Sequence, residues 1–175
     1  IKKIKIKSSI DGNYPSIKKN INTGSYAKIK KNDKIRNLKN FTLVANIFNT
    51  KINKGEQGVI SFFNEQNYDG IVLGIFKGCV GIIINQKQNK KIIKFKQPIK
   101  INKWYKIWVS YNKKKSIILI GKKKIDENNR IQDSEILKIK LKNKISLNSD
   151  MPLIFGAIGN KNIYGFYNGK IESPM

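Results

Sequence analysis

The first residues to consider for chemistry are those that could form a catalytic pair. The 175-residue chain contains no histidine, which excludes Ser-His-Asp and Cys-His catalysis and the common zinc ligand sets. Glycosidic bond hydrolysis needs two carboxyl groups that face each other across the bond. Asp126 and Glu127 would point to opposite faces of an extended chain, and no alternating run of three carboxylates occurs. The sequence predicts no catalytic residue.

Oxygen-bearing side chains near predicted turns form the second candidate group, since Ca²⁺ takes about six to eight oxygen ligands. Asp69 and Asp126 are weak calcium candidates. No dense cluster surrounds them, and the formal net charge of +25 opposes binding of a dication. We therefore predict neither a metal site nor a cofactor. The oxygen donors considered are Asn67, Asp69, Asp126, Asn128, Asn160 and Asn162.

Aromatic side chains near asparagines form the third candidate group, because an aromatic ring packs against the C–H face of a sugar while an amide bonds its hydroxyl groups. Packing within the domain is the alternative, since tyrosine commonly buries its ring and exposes its hydroxyl. Both interpretations remain open. The candidate ligand or docking residues are Trp108, Tyr68, Tyr164, Tyr167, Asn160 and Asn162.

The basic charge is spread along the chain. Lysines alternate with isoleucines, as in 1–7 and 136–142, which is typical of strands with one solvated face. Arginine, the better bidentate partner for phosphate or guanine, occurs only at Arg36 and Arg130. We do not expect nucleic acid as a partner, and binding of an acidic polysaccharide remains a lesser alternative.

Cys79 is the only cysteine, so the chain cannot form an internal disulfide. No apolar run approaches the ~18–20 residues that span a bilayer. The first ten residues lack the continuous apolar region of a signal peptide. These features favour a soluble protein and slightly favour the cytoplasm.

Period-2 alternation in short runs bounded by Gly, Asn, Asp or Pro predicts successive strands and almost no helix. The dipeptides at 69–70, 77–78 and 168–169 are typical of turns. We predict an all-β, two-sheet antiparallel sandwich of the jelly-roll kind, occupying residues 1–175 as one domain. The predicted strands are Lys3–Lys7, Tyr26–Ile29, Thr42–Phe48, Gly58–Phe63, Ile71–Phe76, Cys79–Asn85, Ile92–Lys96, Tyr105–Tyr111, Ser116–Ile120, Glu135–Lys140, Leu153–Ile158 and Tyr164–Ile171.

Four phrases in order resemble laminin-G-like (concanavalin A-like lectin/glucanase) domains. They are GSYAKI, FTLVANIF, WYKIWVSYN, and PLIFGAIG followed by FYNGKIESP. Together they span most of the chain. The resemblance implies a β-sandwich module, and in such a sandwich Trp108 would lie on the face opposite the core side chains of its strand.

The combination of NTGSYAKI, FTLVANIFNT and FYNGKIESP is similar to the laminin-G-like domain in the large subunit of N,N-dimethylformamidase-type proteins. That resemblance implies a non-catalytic accessory domain cut from a larger protein that hydrolyses C–N bonds. Its partners would be other domains or subunits of the parent, and no iron ligand can be matched to this chain. The alternative function is a carbohydrate-binding, lectin-like module.

Overall fold

A computed structural model of the chain describes residues 24–29, 40–52, 55–64, 69–86, 89–125, 134–145, 151–159 and 162–175. Within these ranges the regular elements are strands, and none is a helix. They are β1 (Ala27–Ile29), β2 (Asn40–Asn49), β3 (Glu56–Asn64), β4 (Asp69–Phe76), β5 (Cys79–Gln86), β6 (Asn89–Lys94), β7 (Trp104–Asn112), β8 (Ile117–Ile125), β9 (Glu135–Lys140), β10 (Leu153–Phe155) and β11 (Gly169–Glu172). The predicted strand Lys3–Lys7 lies outside the described residues.

The strands form two antiparallel sheets. The six-stranded sheet has the order β1-β10-β3-β4-β5-β6, and the five-stranded sheet has the order β11-β2-β7-β8-β9. The runs from β3 to β6 and from β7 to β9 are meanders in which each strand pairs with the next. The predicted all-β jelly-roll sandwich is confirmed.

The hydrophobic core lies between the two sheets and follows the alternation of each strand. In β7 the odd-numbered residues from Tyr105 to Tyr111 are buried and the even-numbered ones are half-buried. Val109 lies opposite Leu43 of β2 on one side and Ile120 of β8 on the other, and all three belong to one cluster with side chains of the six-stranded sheet. Burying an isoleucine or leucine fully stabilises the fold by ~1.5–3 kcal/mol, so this alternation fixes which face turns inward.

The six-stranded sheet is buried on both faces along its central strands. Every residue of β5 from Cys79 to Asn85 is buried. The outward side chains Val72, Phe76 and Ile83 form a second cluster with Ile158, against which Tyr164 packs. Ile158 and Tyr164 exchange both backbone hydrogen bonds, at 2.8 and 2.9 Å. The segment that carries them therefore contributes to covering this sheet from outside.

Two predicted strands near the C-terminus are much shorter in the structure. The predicted strand Leu153–Ile158 ends at Phe155 because Gly156 has a φ of 84°. The predicted strand Tyr164–Ile171 begins only at Gly169, since Gly165 has a φ of 56°. Tyr164 and Phe166 make single bridges instead. An alternating sequence does not reveal such breaks, because glycine also occurs within strands.

The predicted turns differ in outcome. Lys77-Gly78 is a turn between β4 and β5, and both residues have positive φ, at 51° and 79°. Asp69-Gly70 instead begins β4, where Gly70 pairs with Phe63. A Cβ atom at Gly70 would lie 2.1 Å from the backbone oxygen of Phe62. The glycine is required there by close strand contact, and the prediction of a turn was wrong.

Some buried polar groups are not satisfied by hydrogen bonds. Asn49 is fully buried, and neither its Oδ1 nor its Nδ2 atom has a partner. By contrast, the fully buried Gln57 donates to the backbone oxygen of Lys51 at 2.9 Å and accepts from the backbone N–H of Asn168 at 2.9 Å. A buried amide without partners costs ~1–3 kcal/mol relative to hydration.

We predict that Asn49→Leu increases the free energy of unfolding by about 1 kcal/mol, because it removes two unsatisfied polar atoms at a buried strand position. Urea denaturation monitored by fluorescence measures the change. The control is Asn112→Leu, which removes a hydrogen bond to the backbone N–H of Lys115 and should lower stability. If Asn49→Leu is destabilising, Asn49 has a partner such as a buried water molecule.

Candidate ligand-binding face

The candidate site lies on the outer face of the five-stranded sheet, where strand pairing brings the even-numbered side chains of β7 beside their neighbours. Ser110 lies opposite Thr42 of β2 and Leu119 of β8. Asn112 in the same way lies between Asn40 and Ile117. These pairs share one face because paired strand residues point to the same side.

Trp108 occupies the centre of this face. It pairs with Val44 and Gly121 and is half-buried. A Cβ atom built at Gly121 would lie 1.9 Å from Trp108 Cε2 and 2.0 Å from Cζ2. The indole ring therefore lies directly on the backbone of Gly121, and the glycine makes room for it.

Next to Trp108 is an open groove of about 570 Å³. Its walls combine aliphatic surface with hydroxyl, amide and ammonium groups. Phe41 and Tyr111 border the groove, but they belong to the inner face of the sheet, where their rings pack together in the core with centroids 5.5 Å apart. The described residues that line the groove are Asn40, Phe41, Thr42, Ser110, Tyr111, Asn112, Lys115, Ile117, Leu119 and Lys138.

Hydrogen bonds orient the polar side chains of the groove. The hydroxyl oxygens of Thr42 and Ser110 are 2.9 Å apart. Asn40 Oδ1 accepts from the backbone N–H of Lys113 at 3.1 Å, and Asn112 Oδ1 accepts from that of Lys115 at 2.9 Å. Both asparagines therefore hold the β7–β8 turn through one bond to the amide oxygen, and each amide also has its Nδ2 donor.

The groove has a positive electrostatic character. Lys115 and Lys138 line it, and none of the described lining residues is acidic. Glu135 is on the neighbouring strand β9, but its carboxylate lies 3.0 Å from Nζ of Lys122. Lys122 is 4% exposed and points inward, 4.8 Å from the centre of the Phe95 ring. Glu135, the acidic residue of β9, is therefore paired with Lys122 and not with the lysines of the groove.

Among the predicted site residues that the structure describes, Trp108 lies apart from Tyr164, Tyr167 and Asn162. Trp108 lies on the outer face of the five-stranded sheet, whereas Tyr164 packs on the outer face of the six-stranded sheet. Tyr167 packs against the core between the sheets, and Asn162 is exposed in the segment before Tyr164.

Three further candidates, Tyr68, Asn160 and Asp126, lie outside the described residues. Asp69 is the first residue of β4, where it pairs with Asn64. No group of three or more Cys, Asp or Glu side chains placed to hold a metal ion occurs within the described ranges.

Sequence reasoning missed most of the groove. The missed residues face solvent on two strands, Thr42 on β2 and Ser110 and Asn112 on β7. The alternation in the sequence indicates the core positions of these strands and not what their outer positions bind. The alternation in WYKIWVSYN does place Trp108 and Ser110 on one face. Which residues of β2, β8 and β9 lie beside them depends on the register, which alternation alone does not determine.

Tyr167 is the described side chain with a clear pKa shift. Burial raises the pKa of its hydroxyl well above the ordinary value of 10.0. The hydroxyl has no hydrogen-bond partner, and the ring lines a small cavity with Tyr26 and Phe155. The neutral phenol is therefore favoured in the folded protein.

The comparisons with known proteins identify a fold and not a family. No protein-family model and no curated protein matches the sequence. Among solved structures, the LG1-3 region of the laminin alpha2 chain has a TM-score of 0.67 at 11% identity, over 86% of this chain and 30% of that one. The fold is laminin-G-like.

Two other similar structures come from microbial and viral proteins. The CBM40 of the Ruminococcus gnavus IT-sialidase, solved with α2,3-sialyllactose, has a TM-score of 0.61 at 12% identity, and 86% of this chain and 87% of that one are covered. The enzymatically active domain of tailspike protein 2 from bacteriophage CBA120 has a TM-score of 0.62 at 10% identity, over 85% of this chain and 23% of that one. In the described part of this chain, no helix is long and apolar enough to cross a membrane.

We predict that Gly121→Ala displaces the Trp108 ring, because the new methyl group would overlap the indole. Overpacking of this kind typically costs ~1–3 kcal/mol. Chemical denaturation and the tryptophan emission maximum measure the effects. In a Trp108→Ala background the same glycine substitution should cost much less. An equal cost in both backgrounds would contradict the contact.

We predict that part of the alkaline loss of stability comes from Tyr167. Above pH 10 the phenol ionises in the unfolded chain but stays neutral in the folded state. The contribution of Tyr167 to the free energy of unfolding therefore falls by up to about 1.4 kcal/mol per pH unit. Below pH 10 this contribution is fully present. Urea denaturation of the wild type and Tyr167→Phe between pH 8 and pH 11 isolates it. Parallel pH profiles for the two proteins would refute this assignment.

Proposed function

We propose that this domain is a non-catalytic module that binds a carbohydrate in the groove on the outer face of the five-stranded sheet. The observation that carries the proposal is the composition of the groove, in which aliphatic side chains lie between hydroxyl and amide groups. Its volume of about 570 Å³ falls in the usual range of ligand sites, ~300–1,000 Å³.

The groove matches the two surfaces of a sugar ring. Ile117 and Leu119 are adjacent outward residues of β8 and offer an apolar surface for the C–H face. Ser110 and Thr42 offer hydroxyl groups, and Asn112 offers an amide donor, for the polar edge. Because hydrogen bonds already fix these polar side chains, they lose little conformational freedom when a ligand binds.

A neighbouring fold supports a carbohydrate ligand. The Ruminococcus gnavus CBM40 holds α2,3-sialyllactose, and its fold covers 86% of this chain. At 12% identity the similarity concerns the fold alone, so the support for this particular ligand class comes from the groove.

The proposed module is non-catalytic because its groove lacks the groups that hydrolysis needs. Glycosidases use two carboxyl groups, and none occurs among the described residues that line the groove. Histidine, the most common general base, is missing from the whole sequence.

Docking inside a larger protein is the second candidate function, and an apolar strip beside the groove favours it. The strip runs across the sheet from Trp108 of β7 over Gly121 of β8 to Ile136 of β9, which is 56% exposed. In that case the domain would dock against another domain or subunit, as in an N,N-dimethylformamidase-like amidohydrolase. The resemblance of the sequence phrases is the support for that parent protein.

We predict that Ser110→Phe abolishes carbohydrate binding by filling the groove from a half-buried strand position. Screening a panel of neutral and acidic oligosaccharides, followed by calorimetric titration of each hit, measures the loss. The control, Lys123→Phe, adds the same ring to a half-buried position that does not line the groove, and binding should persist. If no oligosaccharide binds the wild type, or if Ser110→Phe binds normally, the proposal is wrong.

The docking candidate makes a different prediction for Ile136→Lys. This change places a charge in the exposed apolar strip outside the groove, so it should weaken association of the domain with the rest of its parent polypeptide. Copurification of separately expressed parts measures that association. Oligosaccharide binding should not change, and undiminished association would count against docking through this strip.

A further inference from the structure

The groove carries positive charge and, among its described lining residues, no carboxylate. Lys115 and Lys138 supply ammonium groups, which can only donate. The amide oxygens of Asn40 and Asn112 each accept one bond from the β7–β8 turn, and their Nδ2 groups add donors. Thr42 and Ser110 bond to each other, which leaves one hydroxyl donor and acceptor lone pairs on both oxygens.

A lining with two ammonium groups and no carboxylate favours an anionic sugar over a neutral one. Sugar hydroxyl groups both donate and accept, and a site built for them offers acceptors such as carboxylates as well as donors. The described residues of this groove provide no carboxylate. An oxyanion, which only accepts, is the group that such a lining satisfies best, and charge-assisted bonds to it are about twice as strong as neutral ones.

We propose, building on the carbohydrate function above, that the ligand is an anionic sugar whose carboxylate or sulfate group is bound by Lys115 and Lys138. A carboxylate and a sulfate present the same chemistry, an oxyanion with two or more acceptor oxygens. A neutral glycan is therefore not the preferred ligand.

Strand pairing gives the ligand a direction across the sheet. Thr42, Ser110, Leu119 and Lys138 lie in one row from β2 to β9. The hydroxyl pair is at the β2 end and the ammonium group at the β9 end. The apolar ring face would lie on Leu119 and Ile117, with the hydroxyl groups toward Ser110 and the oxyanion toward Lys138.

Lys115 lines the groove from the turn between β7 and β8. Its backbone N–H is held by Asn112, so the turn is fixed to the sheet beside the groove. The side chain is exposed and lines the groove. The two lysines therefore come from different elements, the β7–β8 turn and β9.

The test must separate this site from the diffuse attraction of a chain with a net charge of +25. Matched ligand pairs serve this purpose: sialyllactose and galacturonate oligomers with their methyl esters for the carboxylate arm, and a sulfated oligosaccharide with its desulfated form for the sulfate arm. Affinity is measured by calorimetry and tryptophan fluorescence near 0.15 M salt, where the Debye length is ~8 Å and distant charges are largely screened.

We expect at least one acidic ligand to bind more tightly than its neutral counterpart. Lys115→Gln and Lys138→Gln should each weaken that ligand about two- to fivefold, as expected for exposed ion pairs, without affecting the neutral form. The control is Lys96→Gln, which removes an exposed charge that follows β6 in the other sheet and should change nothing.

The outcomes separate the two proposals. Equal binding of both members of every pair would overturn the anionic ligand and leave the carbohydrate function standing. A loss in Lys96→Gln as large as in Lys138→Gln would also overturn it, because the attraction would then be diffuse. If neither member of any pair binds, the carbohydrate function itself fails. If the carboxylate ligands bind, the site takes a carboxylate; if the sulfated oligosaccharide binds, it takes a sulfate.

Discussion

The register between β2 and β7 is the constraint on which the rest of the domain depends. It places Leu43 opposite Val109 on the inner face and Thr42 opposite Ser110 on the outer face. A slip of one residue would turn the inner residues of either strand to solvent and move the outer polar groups into the core. The energetic demand of the core therefore also fixes which polar groups meet at the groove.

The two sheets use this alternation differently. The central strands of the six-stranded sheet are buried on both faces, and Val72, Ile83 and Ile158 pack together on its outside. The five-stranded sheet has a buried inner face and an outer face that keeps half-buried aromatic and polar side chains. The second face is the one with room for a ligand, which is why Trp108 and the groove, rather than Tyr164, form the candidate site.

The sequence predicted much of the fold because burial imposes a period that can be seen in the residues. The strand at Glu135–Lys140 was predicted with its observed limits, and the inner positions of β7 were predicted correctly. The C-terminal strands were predicted too long, because the positive φ angles of Gly156 and Gly165 interrupt an alternation that continues in the sequence. The groove was not predicted, because Lys138 reaches the row of Ser110 only through two successive strand pairings, whose registers the alternation does not determine.

The claim that a ligand binds on the outer face of the five-stranded sheet can be tested most directly by NMR. The backbone amides of Lys113 and Lys115 bond to Asn40 and Asn112, so they report on the end of the groove. Titration with the tightest-binding acidic oligosaccharide should shift these amides and that of Ser110, while those of Val72 and Ile83 stay unchanged. Shifts concentrated at Ile158 and Tyr164, or spread evenly over exposed lysines, would contradict this account.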